Sequence, residues 1–195
     1  MNKTLDYYAH NAKTFIDQTA QADMSVTRNK VLKSLPQGAS ILDLGCGSGR
    51  DSLAFQKLGY QVTATDGSPE LADYASKLLK QQVICKTFDT LKFSDASFDL
   101  IWACASLLHM PVKDLPAFLM QSCKWLKQNG IYYMSFKYGT FEGLRDKKYY
   151  TDLTEARLAK VLKTVKELHI KETWMTKDVR LGNETMWINV MMEKV

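Results

Sequence analysis

The chain has 195 residues, 46% of them apolar and 24% charged, and a formal net charge of +5. That balance excludes global disorder, and the length is enough for one domain with a full core that needs no disulfide or metal staple. The basic surplus sits entirely beyond residue 99, where 15 basic residues face 10 acidic ones, but Lys160, Lys163 and Lys166 are spaced as on a solvated helix face, which argues against nucleic acid as a partner and leaves a weaker hint of an acidic substrate.

No run approaches the ~18 apolar residues of a membrane span. The start, Met1-Asn2-Lys3-Thr4-Leu5-Asp6-Tyr7-Tyr8, has no apolar signal core, so a cytoplasmic location is expected. In chain order, residues 1–35 read as helical, with Tyr8, Phe15, Met24, Val31 and Leu35 on an apolar face ended by Pro36-Gln37-Gly38. Ser40-Ile41-Leu42-Asp43-Leu44 is a short apolar strand running into Gly45-Cys46-Gly47-Ser48-Gly49. A helix follows over 50–58, then a strand over 61–65 that ends in Asp66-Gly67. Ser68-Pro69-Glu70 is a helix start with Ser as cap and Pro at the first position.

The remaining predicted strands are 82–86, 98–103, 131–136, 170–176 and 186–192, with helices over 114–126 and from Thr154. The last two strands flank Gly182-Asn183 and are placed to pair antiparallel. Strand and helix alternate throughout. The predicted fold is therefore a single α/β domain over 1–195, a doubly wound, mostly parallel seven-stranded sheet with helices on both faces and an antiparallel C-terminal strand. Cys46, Cys85, Cys104 and Cys123 show no metal-ligand spacing, no metal site is expected, and three of the four fall in predicted strands or helices where a buried free thiol is the default.

The strand, the acid Asp43, the Gly45–Gly49 loop, a helix, a second strand and the acid Asp66 form an ordered series, with the second acid ~20 residues after the first, the interval at which a carboxylate meets a ribose hydroxyl in a nucleotide fold. This series resembles the first two motifs of the class I S-adenosylmethionine (SAM) dependent methyltransferases. The resemblance runs from about Ser40 to Phe136. Gly-Ser-Gly-Arg-Asp-Ser, Ala-Cys-Ala-Ser-Leu-Leu-His and Ser-Phe-Lys-Tyr-Gly segments are similar to those of the small bacterial tellurite-resistance methyltransferases.

That resemblance implies a Rossmann-like methyltransferase fold, SAM as cofactor and S-adenosylhomocysteine as its product. Gly45, Cys46 and Gly47 would pass along the methionine part, with Asp43 toward its amino group. Asp66 would take the ribose hydroxyls, and Gly67 and Ser68 would follow under the adenine. Phe88 would cover the adenine face with Asp89 near its amine, and Ala103 would line the floor beside the sulfonium. Residues 1–36, with Tyr7, Tyr8 and Phe15, are either a lid over the cofactor or a helix merely packed on the sheet.

A dinucleotide-binding oxidoreductase is the competing enzyme class. Its loop needs a third glycine one position later, and Asp43 would repel a pyrophosphate. A SAM-binding module without catalysis, or a partner subunit, also stays open, because strong base and nucleophile signatures are missing. The segment after the fourth strand, Ala103-Cys104-Ala105-Ser106, lacks the polar-Pro-Pro-aromatic tetrad of amine methylators. With little chain to spare for a target-recognition unit, the expected acceptor is a small molecule, anionic or a chalcogen oxyanion. His109 is a candidate general base or else a packing residue. Lys137, Tyr138, Arg145 and Arg180 are candidate acceptor contacts.

Overall fold

A computed structural model describes residues 3–180 and 182–195. The helices are α1 (Lys3–Thr19), α2 (Ser25–Leu32), α3 (Arg50–Lys57), α4 (Pro69–Leu79), α5 (Leu115–Cys123) and α6 (Glu155–Leu162). The strands are β1 (Ser40–Leu44), β2 (Gln61–Asp66), β3 (Ile84–Cys85), β4 (Phe98–Ala103), β5 (Leu126–Lys137), β6 (Glu142–Arg145), β7 (Lys148–Thr151), β8 (Leu168–Lys177) and β9 (Met186–Lys194). Seven of them form one sheet in the order β3-β2-β1-β4-β5-β9-β8. Strands β1 to β5 run parallel, and β9 enters antiparallel between β5 and β8. This is the expected doubly wound fold, and its strand order reverses between β1 and β4, where α/β sheets open a ligand crevice.

The alternation of side chains along β1 and β4 divides the core. Leu42, Leu44, Ile101 and Ala103 point to the face covered by α5 and α6, and Ile41, Leu100 and Trp102 to the face covered by α2 and α3. On the second face Trp102 stacks on Tyr133 at 4.0 Å between ring centroids and meets Phe55 edge-on.

Four elements differ from expectation. The described part of the N-terminal segment is two helices, α1 and α2, broken at 20–24, and residues 1–2 of the helical expectation lie outside the described residues. The third strand shrinks to Ile84–Cys85, and β5 starts at Leu126 instead of Ile131, because Asn129 in the left-handed region lets the chain bulge and stay in the ladder. A hairpin, β6–β7, occupies a segment with no predicted strand. Its two-residue turn is Asp146-Lys147, both at positive φ, without the glycine that usually advertises such a turn. The cysteines are all free, but Cys85 is exposed at the sheet edge and Cys104 lies past the end of β4 rather than inside it.

Helix α2 is fastened to the core by charge. Asp51 on α3 accepts from Arg28 Nη1 at 2.8 Å, from Arg50 Nη2 at 2.7 Å and from the Trp102 indole at 3.1 Å. Burial opposes ionisation of this carboxyl, yet the two guanidiniums overcome it and hold the group below the usual range. Asp51→Ala would leave two guanidiniums facing each other without their shared anion. It is expected to cost about 3–5 kcal/mol of stability, the range for breaking a buried ion pair, measured by urea unfolding. A loss near zero would show that the network is dispensable.

Candidate functional site

The loop after β1 hangs from the end of β2. Gly45 and Cys46 both donate their backbone N–H to the Thr65 carbonyl, at 2.9 and 2.8 Å. Gly47 N–H donates to Asp66 Oδ2 and Ser68 N–H to Asp66 Oδ1, each at 2.8 Å. Two positions favour glycine. Gly45 has φ of 79°, and a Cβ there would lie 2.6 Å from Ser106 Cβ; Gly47 has φ of 55°, with its Cβ position 3.0 Å from the Phe15 ring. The loop therefore presents bare backbone to the crevice.

Asp43 is buried and Asp66 half-buried at the crevice. Asp43, 2% exposed, accepts from Ser52 Oγ at 2.6 Å, and burial together with Asp51 pushes its carboxyl up to about 7. Burial also raises Asp66, against the pull of the three backbone N–H groups of Ser68, Gly47 and Gly67. Each Asp66 oxygen keeps a further lone pair for a ligand hydroxyl.

The crevice is a cavity of about 640 Å³, within the size range of small-molecule and cofactor sites. At one end it is lined by Asp43, Gly45, Cys46, Gly47, Asp66 and Gly67, with Phe88 and Asp89 beside them. At the other it is lined by Tyr8, His109, Lys137 and Arg180. Four expected residues do not line it. Ser68 is fully buried as the cap of α4, accepting from Leu71 N–H, and Ala103 is fully buried within β4. Tyr138 is 43% exposed and donates to Glu155 Oε2, while Arg145 is held by Asp152 at 2.7 Å and lies over the Phe141 ring. Tyr138 is drawn to Glu155 at the start of α6, and Arg145, at the end of β6, is drawn to Asp152 just past β7.

The geometry around His109 changes its reading. The Tyr149 carbonyl, 2.7 Å from Nδ1, can only accept, so Nδ1 carries the proton. Nε2 then holds the lone pair and accepts from the Tyr8 hydroxyl at 2.9 Å. Burial, with Lys148 and Lys137 adding to it against the Tyr149 carbonyl, lowers the ring to about 4. A neutral ring whose lone pair is occupied fixes Tyr8 in place and has no free base site.

Sequence reasoning missed Lys148 on β7, which lines the same end of the cavity, and Arg50 and Asp51, which line the wall near Asp43. It also missed Ser106, whose buried hydroxyl has no hydrogen-bond partner and whose Cβ sets the limit at Gly45. The Gly-Arg-Asp-Ser run was visible, but a contact between residues 28 and 51 leaves no local signal.

Residues 41–130, a little under half of the chain, match the family model for a methyltransferase domain. The 2-methyl-6-phytyl-1,4-hydroquinone methyltransferase of Synechocystis is 33% identical over 125 residues, covering 62% of this chain and 39% of that protein. The chain spans well under half the length of the curated relatives it matches. Among solved structures, the 1,6-didemethyltoxoflavin-N1-methyltransferase of Burkholderia thailandensis, with 1,6-didemethyltoxoflavin and S-adenosylhomocysteine bound, has a TM-score of 0.75 at 21% identity over 97% of this chain and 85% of that one. A TehB-like SAM-dependent methyltransferase of Corynebacterium glutamicum has a TM-score of 0.70 at 21% identity, covering 98% of each chain. The fold is thus the Rossmann-like fold of the methyltransferases. The matched segment carries the glycine loop, both acids and β4, and SAM is the cofactor such a domain implies.

Because the folded His109 ring titrates below its ordinary ~6.5, the unfolded chain binds its proton first. Stability from this residue is present above pH 6.5 and is lost as the pH falls toward 4. The ring is expected to stay unprotonated to about pH 4 in an NMR titration, and His109→Gln to show a shallower stability loss over that window. A midpoint near 6.5 would contradict the buried Tyr8–His109 geometry.

Proposed function

We propose that the chain is a SAM-dependent methyltransferase acting on a small anionic acceptor, built as one domain with α1 and α2 serving as a lid. The carrying observation is the pairing of bare backbone at Gly45 and Gly47 with two desolvated carboxyls, the buried Asp43 and the half-buried Asp66, at the strand-order reversal. Carboxylates buried at a cost need a cationic or hydroxyl-rich partner. The ammonium and sulfonium of SAM fit the acidic wall, and its ribose diol fits the open lone pairs of Asp66. A pyrophosphate would face Asp43 and be repelled.

The residues divide the work. Asp66 would hold the ribose, Asp43 the amino end, and Phe88 the adenine face. When bound, SAM supplies a methyl group already activated on a sulfonium, so the protein's part is positioning and exclusion of water. Helix α1 supports the lid reading, because Leu5 reaches Gly67, Phe15 reaches Gly47 and Tyr8 reaches His109. At the far end Lys137 and Arg180 would hold the acceptor as an anion, a form that needs no general base. A chalcogen oxyanion is one such acceptor, suggested by the tellurite-resistance resemblance and by the shared fold of the TehB-like structure.

Calorimetry is expected to show SAM and S-adenosylhomocysteine binding to the wild type. Asp66→Ala should weaken both by about a hundredfold, since hydrogen bonds to a charged group contribute ~1.5–3 kcal/mol each. Unchanged affinity in the variant, or binding of NADH in place of SAM, would overturn the reading. Turnover of SAM across thiols, chalcogen oxyanions, amines and carboxylates would identify the acceptor class, and no turnover with any of them would favour a non-catalytic module.

A further inference from the structure

Lys137, Lys148 and Arg180 come from three separate elements, the end of β5, the start of β7 and the β8–β9 loop, and all three line one end of the cavity. Their counter-ions are unequal. Arg180 is gripped by Asp178, with Nε to Oδ1 at 2.9 Å and Nη2 to Oδ2 at 2.6 Å, and Trp187 steadies the same carboxylate from 3.2 Å. Asp152, the acid nearest to Lys137 in effect, is taken by Arg145. Among the described residues neither lysine has a carboxylate within ion-pair distance. Both lie against aromatic rings instead: Lys137 Nζ is 4.4 Å from the Tyr150 centroid, and Lys148 Nζ is 4.2 Å from Tyr7 and 5.6 Å from Tyr150.

Two ammonium groups without a carboxylate partner in a partly enclosed site are held there against burial and neighbouring positive charge, and the cost is visible in both. Burial, then Lys137 and Arg180, push Lys148 down to about 8, and burial with Arg145 and Arg180 lowers Lys137. Rings relieve a cation's desolvation only in part. An arrangement that keeps two like charges close is explained when a ligand supplies the opposite ones.

We propose that Lys137, Lys148 and Arg180 form an acceptor subsite for a doubly negative group, a phosphate monoester or a pair of carboxylates, with Lys148 as the residue that selects two charges over one. The count follows from the pairing: Arg180 is neutralised by Asp178, which leaves two positive charges to be met. Arg180 still offers the remaining N–H groups of its fixed fork, the geometry that suits carboxylate and phosphate oxygens. This proposal rests on the methyltransferase reading, which places the acceptor at this end, and it narrows that reading from an anion to a dianion.

The test uses the full chain saturated with S-adenosylhomocysteine and three probes at pH 7: phenyl phosphate, phthalate and benzoate. Phenyl phosphate or phthalate, or both, should bind at least about tenfold more tightly than benzoate, as expected for a further desolvated charge pair. Which of the two binds better distinguishes a phosphate from a dicarboxylate acceptor. Lys148→Met should erase the preference over benzoate and keep S-adenosylhomocysteine affinity, and Lys148→Arg should restore it. Equal binding of all three probes, or a preference that survives in Lys148→Met, would overturn the subsite. Failure of S-adenosylhomocysteine to bind would instead overturn the methyltransferase reading, and the same probes offered without it would still test the cations.

Discussion

The site depends on one joint, the attachment of the β1 loop to the end of β2. Parallel pairing brings Leu44 level with Thr65, so the chain leaving β1 runs beside the last residues of β2. Thr65 then captures two loop amides through its carbonyl, and Asp66 captures a third through its side chain. Ser106, just beyond β4, closes on Gly45 from the other side. Three strand ends thus meet within a few ångströms. Any side chain at Gly45 would have to displace Ser106 rather than merely adopt an unfavourable φ. The glycines follow from this crowding as much as from the need to approach a ligand.

From that joint the cavity acquires a charge gradient. Asp43 and Asp66 lie on the side of β1 and β2, while Lys137, Lys148 and Arg180 lie on the side of β5, β7 and β9. The net charge of +5 beyond residue 99 is a poor guide to this. Lys160, Lys163 and Lys166 are exposed, as their spacing suggested, and Arg145 is neutralised by Asp152. The basic side of the cavity is made by three cations that sequence spacing does not group. On the proposed reading a sulfonium cofactor would be held on the acidic side and an anionic acceptor on the basic side. The field along the cavity would then orient the two, and their meeting would depend on the mutual attraction of opposite charges.

What the sequence made legible was what local chemistry determines. The apolar runs 40–44 and 98–103, the glycine loop and the Ser68-Pro69 cap each carry their own signal, and each lies where it was expected. The missed features are relations between distant residues. Asp146-Lys147 makes a hairpin turn without glycine, so nothing local marks Lys148 as the first residue of a strand against Tyr7. Tyr138 and Arg145 leave the crevice for Glu155 and Asp152, partners 17 and 7 residues away in the chain. The sequence left His109 open between general base and packing residue because nothing near it announces Tyr8 and the Tyr149 carbonyl, 101 and 40 residues away.

Helix α1 links these separate parts. Leu5, Tyr8 and Phe15 are spaced by three and seven residues, which puts them on one face of a helix. Along that face they meet Gly67, His109 and Gly47 in turn, so a single helix touches the β2 end, the acceptor end and the glycine loop. Thr4 fixes the same helix to the hairpin by accepting from Tyr149 N–H at 2.9 Å. The wall is therefore shared between the two ends of the cavity. Movement of α1 that admitted a ligand at one end would break the Tyr8–His109 contact and uncover Lys148 at the other. On the proposed reading, entry of cofactor and of acceptor would be coupled through this helix, because its contacts to both ends lie on one element.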